Sequence, residues 1–413
     1  MSSTSDNTAG GPGPLAGVRV IDLTTVVMGP FASQILADLG ADVIKVESPD
    51  GDTVRNIGPS RSKGMGPMYL ALNRNKRSIA LDLKKEEARQ ALLQLARTAD
   101  VLVYNVRPAA MERLGLGYET LRAVNPRLLY VGLVGFSQRG RYAPQAAFDD
   151  LIQAASGMSD VVARGSGSIP RYLPMAIADR LVGLYAFGIV SAALFAVSKT
   201  GRGRRIDVPM FETMLSQVLG DHLYGETFVP ARGAMGYPRL LSKNRRPYAT
   251  KDGHICCTVY TDANWKSFLR LIGKPELFDT DPRFATISAR TRVIDELYGM
   301  VADALLERTT AEWVDALRDA DIPCFPMHTV ESVLHDPHLG DIGFFQETEQ
   351  PELGRIRQMK GPSEWSEGGP SLRRAAPGLG ADTRAVLKEG GFEETQIDQL
   401  LASGAAVVQG GKS

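Results

Sequence analysis

The sequence predicts an α/β protein in which a doubly wound, mostly parallel sheet is followed by a smaller α+β domain. Short apolar runs typical of buried strands alternate with helical patterns from residue 18 to about residue 203. This alternation favours a parallel sheet with helices on both faces. The composition changes after Val208, and 413 residues are enough for more than one folding unit. The predicted strands of the sheet are Val18–Leu23, Asp42–Glu47, Arg77–Asp82, Asp100–Asn105 and Leu128–Val134.

The chain opens with a predicted βαβ unit. Strand Val18–Leu23 leads through a loop at 24–30 into a helix over Phe31–Leu39, which Gly40 closes before strand Asp42–Glu47 begins. The loop contains no GxGxxG pattern. The sequence therefore lacks the dinucleotide-binding fingerprint, although the order of its elements resembles half of a Rossmann fold.

The next segments alternate between irregular and regular patterns. Ser48–Gly66 is rich in Gly, Pro, Ser and Arg, and it is predicted to be a long loop of the kind that often serves function. A strand over His254–Tyr260 and several helices predict the second domain. The predicted helices are Lys85–Arg97, Met210–Leu223, Asn264–Ile272, Val293–Arg308 and Thr310–Ala320, and a last helical segment covers Thr383–Leu401.

These patterns divide the chain into six segments. We expect a flexible leader at 1–14, a large domain at 15–223, a linker at 224–247 and a small α+β domain at 248–340. A second linker at 341–380, rich in Pro and Gly, precedes a C-terminal segment at 381–413. The Gly-rich tail from Gly404 is expected to fray.

Composition narrows the class of protein. The 47 basic and 47 acidic residues give no net charge, which argues against nucleic acid or an anionic membrane as the main partner. Three cysteines without a CxxC pair and five scattered histidines predict neither a disulfide framework nor a metal site. The N-terminus has no apolar core of a signal peptide, so we expect a cytoplasmic protein.

One apolar run, from Leu181 to Val197, is introduced by a single carboxylate, Asp179. The run is slightly short for a membrane span and contains two glycines, which favours a helix buried in a globular core. Between Asp160 and Asp207 the sequence holds no other acidic residue than Asp179. Taken alone, an Asp at a helix start is most often an N-cap.

Several ordered motifs together resemble the class III CoA-transferase family, which includes formyl-CoA transferases, carnitine CoA-transferases and α-methylacyl-CoA racemases. They are residues 14–52, residues 73–84, residues 99–136, and Asp179 with the following segment 198–212. The resemblance is strong over Pro14–Glu212 and weaker from Tyr248 and around Ala376–Leu387. Ordered motifs along one chain are far more specific than a single short motif.

The resemblance makes Asp179 the catalytic aspartate of an acyl-CoA:carboxylate CoA-transferase. Its carboxylate would attack an acyl-CoA thioester to give a mixed anhydride, and then an aspartyl-CoA thioester that the acceptor acid resolves. An α-methylacyl-CoA racemase remains the alternative. In those relatives a His at the position of Phe148 works as an acid/base partner, and Phe cannot accept a proton. A non-catalytic CoA-binding protein is a third possibility.

The resemblance also assigns contacts to CoA, which is substrate here, so no further cofactor is expected. These residues are Thr25, Val26, Val27, Met28, Leu81, Lys84, Asn105, Val106, Ala110, Arg113, Phe148 and Met210. Two positions that are often basic in the family are Ser48 and Ala146 here. Phosphate contacts are therefore expected from elsewhere, for example from Lys45 or Arg107.

The family resemblance further implies a Rossmann-like large domain, a C-terminal segment that returns to it, and ring-shaped subunits in an interlocked homodimer. The expected partners are an acyl-CoA and a carboxylic acid acceptor. A run of consecutive glycines known from formyl-CoA transferases is missing from 231–246, which speaks against an oxalate/formate specificity. That stretch is basic, and Arg55, Arg61 and Arg171 lie in loops near the motifs. A dicarboxylate or another anionic acceptor acid is therefore one of the alternatives.

Overall fold

The computed structural model describes residues 13–350 and 353–408. Most of the expected leader (1–12), residues 351–352 of the expected second linker and the last residues of the tail (409–413) lie outside the described residues. The described chain forms two compact units. The first comprises residues 13–153, 175–214 and 337–408, and the second comprises residues 154–174 and 215–336.

The strands and helices follow one another in the order that the sequence predicts for its first half. The strands are β1 (Arg19–Leu23), β2 (Asp42–Glu47), β3 (Lys76–Leu81), β4 (Val101–Tyr104), β5 (Leu129–Val134), β6 (Arg204–Pro209), β7 (Tyr248–Ala249), β8 (His254–Cys257), β9 (Cys324–Pro326), β10 (Phe345–Gln350), β11 (Gly354–Met359) and β12 (Ala406–Val407). The helices are α1 (Met28–Asp38), α2 (Pro67–Asn73), α3 (Glu86–Ala96), α4 (Pro108–Arg113), α5 (Tyr118–Val124), α6 (Asp149–Ala155), α7 (Met158–Ser166), α8 (Ile177–Thr200), α9 (Met210–His222), α10 (Asp262–Leu271), α11 (Leu277–Thr280), α12 (Ile287–Arg292), α13 (Ile294–Leu305), α14 (Thr310–Asp319), α15 (Pro337–Asp341), α16 (Thr383–Glu389) and α17 (Glu394–Ala402).

The first unit is built on a seven-stranded sheet in the order β12-β3-β2-β1-β4-β5-β6. β1 to β6 run parallel to one another, and β12 is antiparallel to its neighbour β3. The five strands predicted for this sheet are confirmed within one residue at each end. The strand order reverses between β1 and β4, and open α/β sheets bind ligands in the crevice at such a reversal.

The inner strands β1, β2, β4 and β5 form because each is a short, largely apolar run that is buried over nearly its whole length. β5 (LYVGLV) is buried along its whole length, as expected for a central parallel strand. On one face the strands pack against α3, α5, α16 and α17, which together make one apolar core. On the other face α1 packs along α8.

The C-terminal segment joins the first unit. α16 and α17 contribute Val386, Leu387 and Ile397 to the core, and Ala406 of β12 pairs with Leu81 of β3. Fraying from Gly404 was expected, but residues 406–407 form this edge strand and only 409–413 lie outside the described residues. Two residues are too few for a strand pattern in the sequence, since their pairing depends on the exposed edge of β3.

Residues 341–380, expected to be a linker, contain the antiparallel hairpin β10–β11 within the first unit. Their side chains alternate between partly buried and exposed in β11, the pattern of a strand with one solvated face. Leu353 and Ala376 pack with Val54, Met65 and Tyr69 in a small apolar cluster. The segment is therefore held against the sheet domain through apolar contacts.

The second unit is an α+β structure with a three-stranded antiparallel sheet in the order β7-β8-β9. Its core contains Trp265, Phe268, Phe284 and Trp313, which the helices α10 to α14 and their connections supply. The indole Nε1 of Trp313 donates a hydrogen bond of 2.9 Å to the carbonyl of Leu305. The predicted strand His254–Tyr260 is shorter than expected, because β8 ends at Cys257.

α8 departs from the expectation of a helix buried in a globular core. It is 24 residues long, and by length and hydropathy it could cross a membrane, but only 33% of its most apolar window is buried. Leu184, Tyr185 and Phe195 remain 52%, 49% and 67% exposed in the single chain. In the single chain the helix is therefore buried along one side only, and part of its apolar surface is exposed.

If α16 is part of the core of the first unit, truncating Leu387 to Ala should destabilise it. Leu387 is fully buried, and removing a buried Leu side chain typically costs about 2–5 kcal/mol. Lys388→Ala, on the exposed face of the same helix, should change the free energy of unfolding by no more than about 0.5 kcal/mol. Urea unfolding of both variants checks this, and equal effects would show that α16 does not pack on the core.

Candidate active site

Asp179 lies in the first turn of α8 but does not cap it. The helix begins at Ile177 after Ala176, and no side chain makes a cap hydrogen bond there. The common role of an Asp at a helix start is thus not the role of Asp179. Its carboxylate is partly buried, and no other described residue donates a hydrogen bond to it.

A second carboxylate lies beside Asp179. Oδ1 of Asp149, the first residue of α6, accepts the backbone N–H of Asp179 at 2.9 Å. Its Oδ2 accepts from the buried Gln153 Nε2 at 2.6 Å. Asp149 is therefore held in place from both sides, 30 residues away in sequence from the carboxylate that it approaches.

This arrangement makes Asp179 unusually easy to protonate. Burial and then the negative charge of Asp149 raise the pKa of Asp179 to about 7, while Arg180 acts in the opposite direction. The guanidinium of Arg180 lies over the ring of Phe31 at 5.3 Å from its centroid. Near neutral pH the folded chain therefore holds Asp179 in both protonation states.

One turn from Asp179, α8 packs closely against the start of α1, directly after the loop 24–27 that follows β1. One helical turn after Asp179, a Cβ on Gly183 would lie only 2.6 Å from the carbonyl oxygen of Met28. Gly at position 183 thus allows the backbone of α8 to approach the start of α1. Any larger residue there would push the carboxylate away from the loop.

The same loop is tied to the end of β4 across the strand-order reversal. The side chain of Asn105 accepts from the N–H of Thr25 at 3.1 Å and donates to its carbonyl at 2.9 Å. Thr25 and Asn105 were both predicted as CoA contacts, and the structure brings them together at the carboxyl edge of the sheet.

The other predicted CoA contacts differ in exposure. Val26, Lys84, Val106, Arg113 and Phe148 are exposed, and Thr25, Asn105 and Ala110 are partly exposed. Val27, Met28, Leu81 and Met210 are buried, with at most 5% of each residue exposed. Leu81 belongs to the apolar core of the sheet, so its side chain is a support and not an open contact surface. Phe148 is 69% exposed, which excludes a role as an ordinary core residue.

The structure changes the expected sources of positive charge. Lys45, suggested for phosphate contact, has no exposed side-chain surface and forms an ion pair of 2.9 Å with Asp52. Arg55 pairs with Glu47 at 2.6 Å and is likewise buried. Neither cation can reach a ligand, so both suggestions are wrong. Arg107 is exposed.

A cavity of about 350 Å³ opens where β5 and β6 end. Its lining residues are Phe136, Ser137, Gly140, Arg141, Tyr142, Phe211 and Glu212. Glu212 Oε1 accepts the N–H of Ser137 at 3.0 Å, which joins the loop after β5 to the start of α9. The carboxyl ends of parallel strands lie at one edge of a sheet, so this cavity shares its edge with Thr25 and Asn105.

Sequence reasoning missed Asp149. It treated Asp179 as a carboxylate without an acidic neighbour, because none lies near it in the sequence. The only available signal was the pair Asp149–Asp150 directly after the aromatic position Phe148. A helix predicted to start at this pair would have put a carboxylate in its first turn, as Asp149 is in α6.

Comparison with known proteins decides the family. The profile described as CoA-transferase family III matches residues 15–383. The chain belongs to the CoA-transferase family III. It is 31% identical over 397 residues to a succinyl-CoA:glutarate CoA-transferase of Homo sapiens, covering 95% of this chain and 89% of that protein. It is 32% identical over 408 residues to a formyl-CoA:oxalate CoA-transferase of Escherichia coli, covering 93% and 97%.

The fold agrees with this assignment. A crystal structure of a CAIB/BAIF family protein from Brucella suis superimposes with a TM-score of 0.77 at 30% identity, covering 92% of this chain and 100% of that one. The match extends over both units of the chain. This CoA-transferase is therefore an enzyme that transfers CoA.

In this CoA-transferase, replacing Asp149 by Asn should lower the pKa of Asp179 from about 7 towards its ordinary value. Asn keeps an oxygen for the N–H of residue 179 but removes the like charge, so the proton affinity should fall about tenfold. Burial, the larger cause, remains. NMR titration of ¹³C-labelled aspartate carboxyl groups measures the change.

Asp150→Asn is the matched control, because this neighbouring carboxylate is exposed and does not contribute to the pKa shift of Asp179. It should leave the titration of Asp179 where it was. A titration of Asp179 near pH 4 in the unsubstituted enzyme would contradict the geometry described above.

Proposed function

We propose that this enzyme is an acyl-CoA:carboxylate CoA-transferase whose nucleophile is Asp179. The observation that carries the proposal is a partly buried carboxylate that receives no hydrogen bond from the described residues, has a raised pKa and lies one turn before the point where α8 packs against the start of α1. A carboxylate that is poorly solvated and not neutralised is a better nucleophile than one in water.

The proposed reaction proceeds by four acyl exchanges. The Asp179 carboxylate attacks the thioester carbonyl of the donor, and the C–S bond breaks to give a mixed anhydride and CoA thiolate. The thiolate attacks the Asp179 carbonyl of that anhydride, which releases the donor acid and leaves an aspartyl-CoA thioester. The acceptor carboxylate then displaces CoA thiolate to form a second anhydride. Attack of the thiolate on the acceptor carbonyl gives the new acyl-CoA and free Asp179.

This sequence requires no further cofactor, because the overall reaction exchanges one CoA thioester for another of similar energy, and the higher-energy anhydrides are formed and consumed on the enzyme. The raised pKa of Asp179 also predicts how the proposed reaction depends on pH. Only the ionised form of Asp179 can attack, so activity should rise with pH up to about 7 and then level.

We further propose that CoA lies along the carboxyl edge of the sheet. The exposed Val26 and Val106 and the linked pair Thr25 and Asn105 lie at the reversal between β1 and β4. This is where doubly wound sheets bind nucleotides. Lys84 lies shortly after β3, and Arg113 ends α4, the helix that follows β4. Both are exposed cations, and they are proposed for the nucleotide end.

The acceptor is proposed to be a short dicarboxylic acid. The related enzymes of Homo sapiens and Escherichia coli are named for succinate, glutarate and oxalate.

Incubation with an acyl-CoA and hydroxylamine should convert Asp179 to a hydroxamate. Hydroxylamine attacks the aspartyl anhydride or thioester, and peptide mass spectrometry locates the product. Asp179→Asn should abolish both the adduct and the transfer, by at least about 10³-fold, without a change in the circular dichroism spectrum. In the absence of hydroxylamine, succinate, glutarate or oxalate should discharge the enzyme faster than acetate does.

Asp150→Asn serves again as control and should retain labelling and turnover.

The two adjacent carboxylates Asp149 and Asp179 make proton exchange at an α-carbon the competing activity. The same incubation in D₂O tests it. If deuterium appears at the α-carbon of a 2-methylacyl-CoA and no adduct forms on Asp179, the enzyme is a racemase and not a transferase.

We propose in addition that the enzyme is a homodimer of interlocked, ring-shaped subunits and acts in the cytoplasm. The exposed apolar side chains Leu184, Tyr185 and Phe195 of α8 support the association, because a continuous apolar face on a soluble chain is normally covered by a partner. A second copy of the same chain is the partner that the family resemblance implies. The three free cysteines suit a reducing compartment.

Sedimentation velocity should give the mass of two chains, about 89 kDa, since one chain is 44.7 kDa. Phe195→Asp should shift the population towards monomer, because burying a charge in an apolar interface is unfavourable. Leu306→Asp, at a position 53% exposed at the end of α13, is the matched control and should remain dimeric. A monomeric unsubstituted enzyme would contradict the proposal.

A further inference from the structure

The loop between β1 and α1 is held by side chains from three parts of the sheet. The backbone N–H groups of Thr24, Thr25 and Val26 each donate to a side chain. Their acceptors, in that order, are Asp22 Oδ1 at 2.9 Å, Asn105 Oδ1 at 3.1 Å and the Asp52 oxygens at 3.1 and 3.2 Å. Such support fixes a loop far more firmly than turn hydrogen bonds at a surface.

Val26 has a backbone conformation that its side chain disfavours. Its φ is 72°, in the left-handed region. A β-branched residue there is a genuine outlier that persists only where the surroundings enforce it. The conformation turns the side chain of Val26 outward, 41% exposed, while Val27 next to it is 2% exposed.

Asp52 is the residue that takes the N–H of Val26, and it is itself tightly held. Its side chain has no exposed surface, and its Oδ2 accepts from Lys45 Nζ at 2.9 Å. Lys45 Nζ also donates to the carbonyl of Thr24 at 2.9 Å, so one ion pair holds the loop at two points. Burial opposes the charge on Lys45, but Asp22, Asp52 and Glu47 raise its pKa above the ordinary value, so Lys45 stays charged.

We propose that Asp52 is a positioning residue for acyl-CoA. Through the N–H of Val26 it keeps the loop 24–27 in the left-handed conformation that presents the Val26 side chain to the bound thioester arm. The inference rests on the proposed function, since it takes this loop as part of the acyl-CoA site. Asp52 does not touch the reacting atoms and acts through Val26.

Loss of the Asp52 charge should release Val26. Asn at position 52 offers one accepting oxygen where two now serve Lys45 Nζ and the N–H groups of Val26 and Val54, so it cannot hold all three donors. A Val26 N–H that faces the amide nitrogen has no acceptor, and Val26 would return to the extended region that β-branched residues prefer. Its side chain would then leave the surface that it now occupies, and the start of α1 beside Gly183 would move with it. The consequence is a poorer fit for acyl-CoA and not for the acceptor acid.

The test uses Asp52→Asn in the full chain. We expect the KM for the acyl-CoA donor, and the Kd of CoA measured by calorimetry, to rise about tenfold, the usual scale for removing a supporting hydrogen bond behind a binding group. The KM for the acceptor acid should stay within about twofold. Mere destabilisation would lower the active fraction and leave both KM values unchanged.

Asp38→Asn is the matched control. Asp38 is a comparably buried carboxylate, pairs with Arg74 at 2.7 Å, and makes no contact with the loop among the described residues. It should lower the melting temperature without changing either KM. If Asp52→Asn behaves like Asp38→Asn, the inference is wrong, even though the enzyme transfers CoA. If the unsubstituted enzyme neither binds CoA nor transfers it, the proposed function is wrong and the inference falls with it.

A second variant keeps the test valid if Asp52→Asn folds poorly. Asn accepts the left-handed conformation more readily than Val, so Val26→Asn should make the loop less dependent on Asp52. When Val26→Asn is already present, adding Asp52→Asn should raise the KM for acyl-CoA by no more than about threefold. An equal effect with and without Val26→Asn, or a double variant that does not fold, would show that Asp52 supports the core and not Val26, and would overturn the proposal.

Discussion

Two lysines without exposed surface, Lys45 and Lys76, determine the geometry of the carboxyl edge of the sheet. Lys76 Nζ lies 3.1 Å from Asp22, as Lys45 lies 2.9 Å from Asp52. Burial lowers the pKa of Lys76 to about 8 although Asp22 opposes this, and Lys76 and Lys45 help to hold the pKa of Asp22 at about 2. Removing one member of such a group leaves a buried charge unpaired, which is far more costly than never having the pair.

The electrostatic environment at the start of α8 is the opposite of this one. The carboxylates that support the loop after β1 are paired with lysines. Asp179, by contrast, lies beside a like charge and receives no hydrogen bond from the described residues. In the reaction that we propose, the two environments serve different needs. A loop that binds a flexible thioester must be rigid, and a carboxylate that attacks it must not be stabilised by its surroundings.

The sequence was a good guide to the sheet and a poor guide to its charges. The strands of the parallel sheet were predicted within one residue because each is a short apolar run of the right length. The family resemblance led to the proposed roles of Asp179 and of the loop after β1. Neither approach located Asp149 or Asp52, since their roles arise from contacts between segments whose sequences have no periodicity. The sequence did not predict β12 or the hairpin β10–β11 for the same reason, because an edge strand is defined by the neighbour with which it pairs.

α8 shows where a correct pattern leads to a wrong conclusion. Its hydrophobicity predicted burial, and hydrophobic side chains do require cover, but the sequence does not state which molecule provides it. In the single chain α1 covers one side of the helix, while Phe195 on another side remains 67% exposed. In the proposed dimer both sides have a use, because the buried side fixes α8 against α1 and the exposed side offers a surface for association. A helix that served only as scaffold for its own chain would need no such second face.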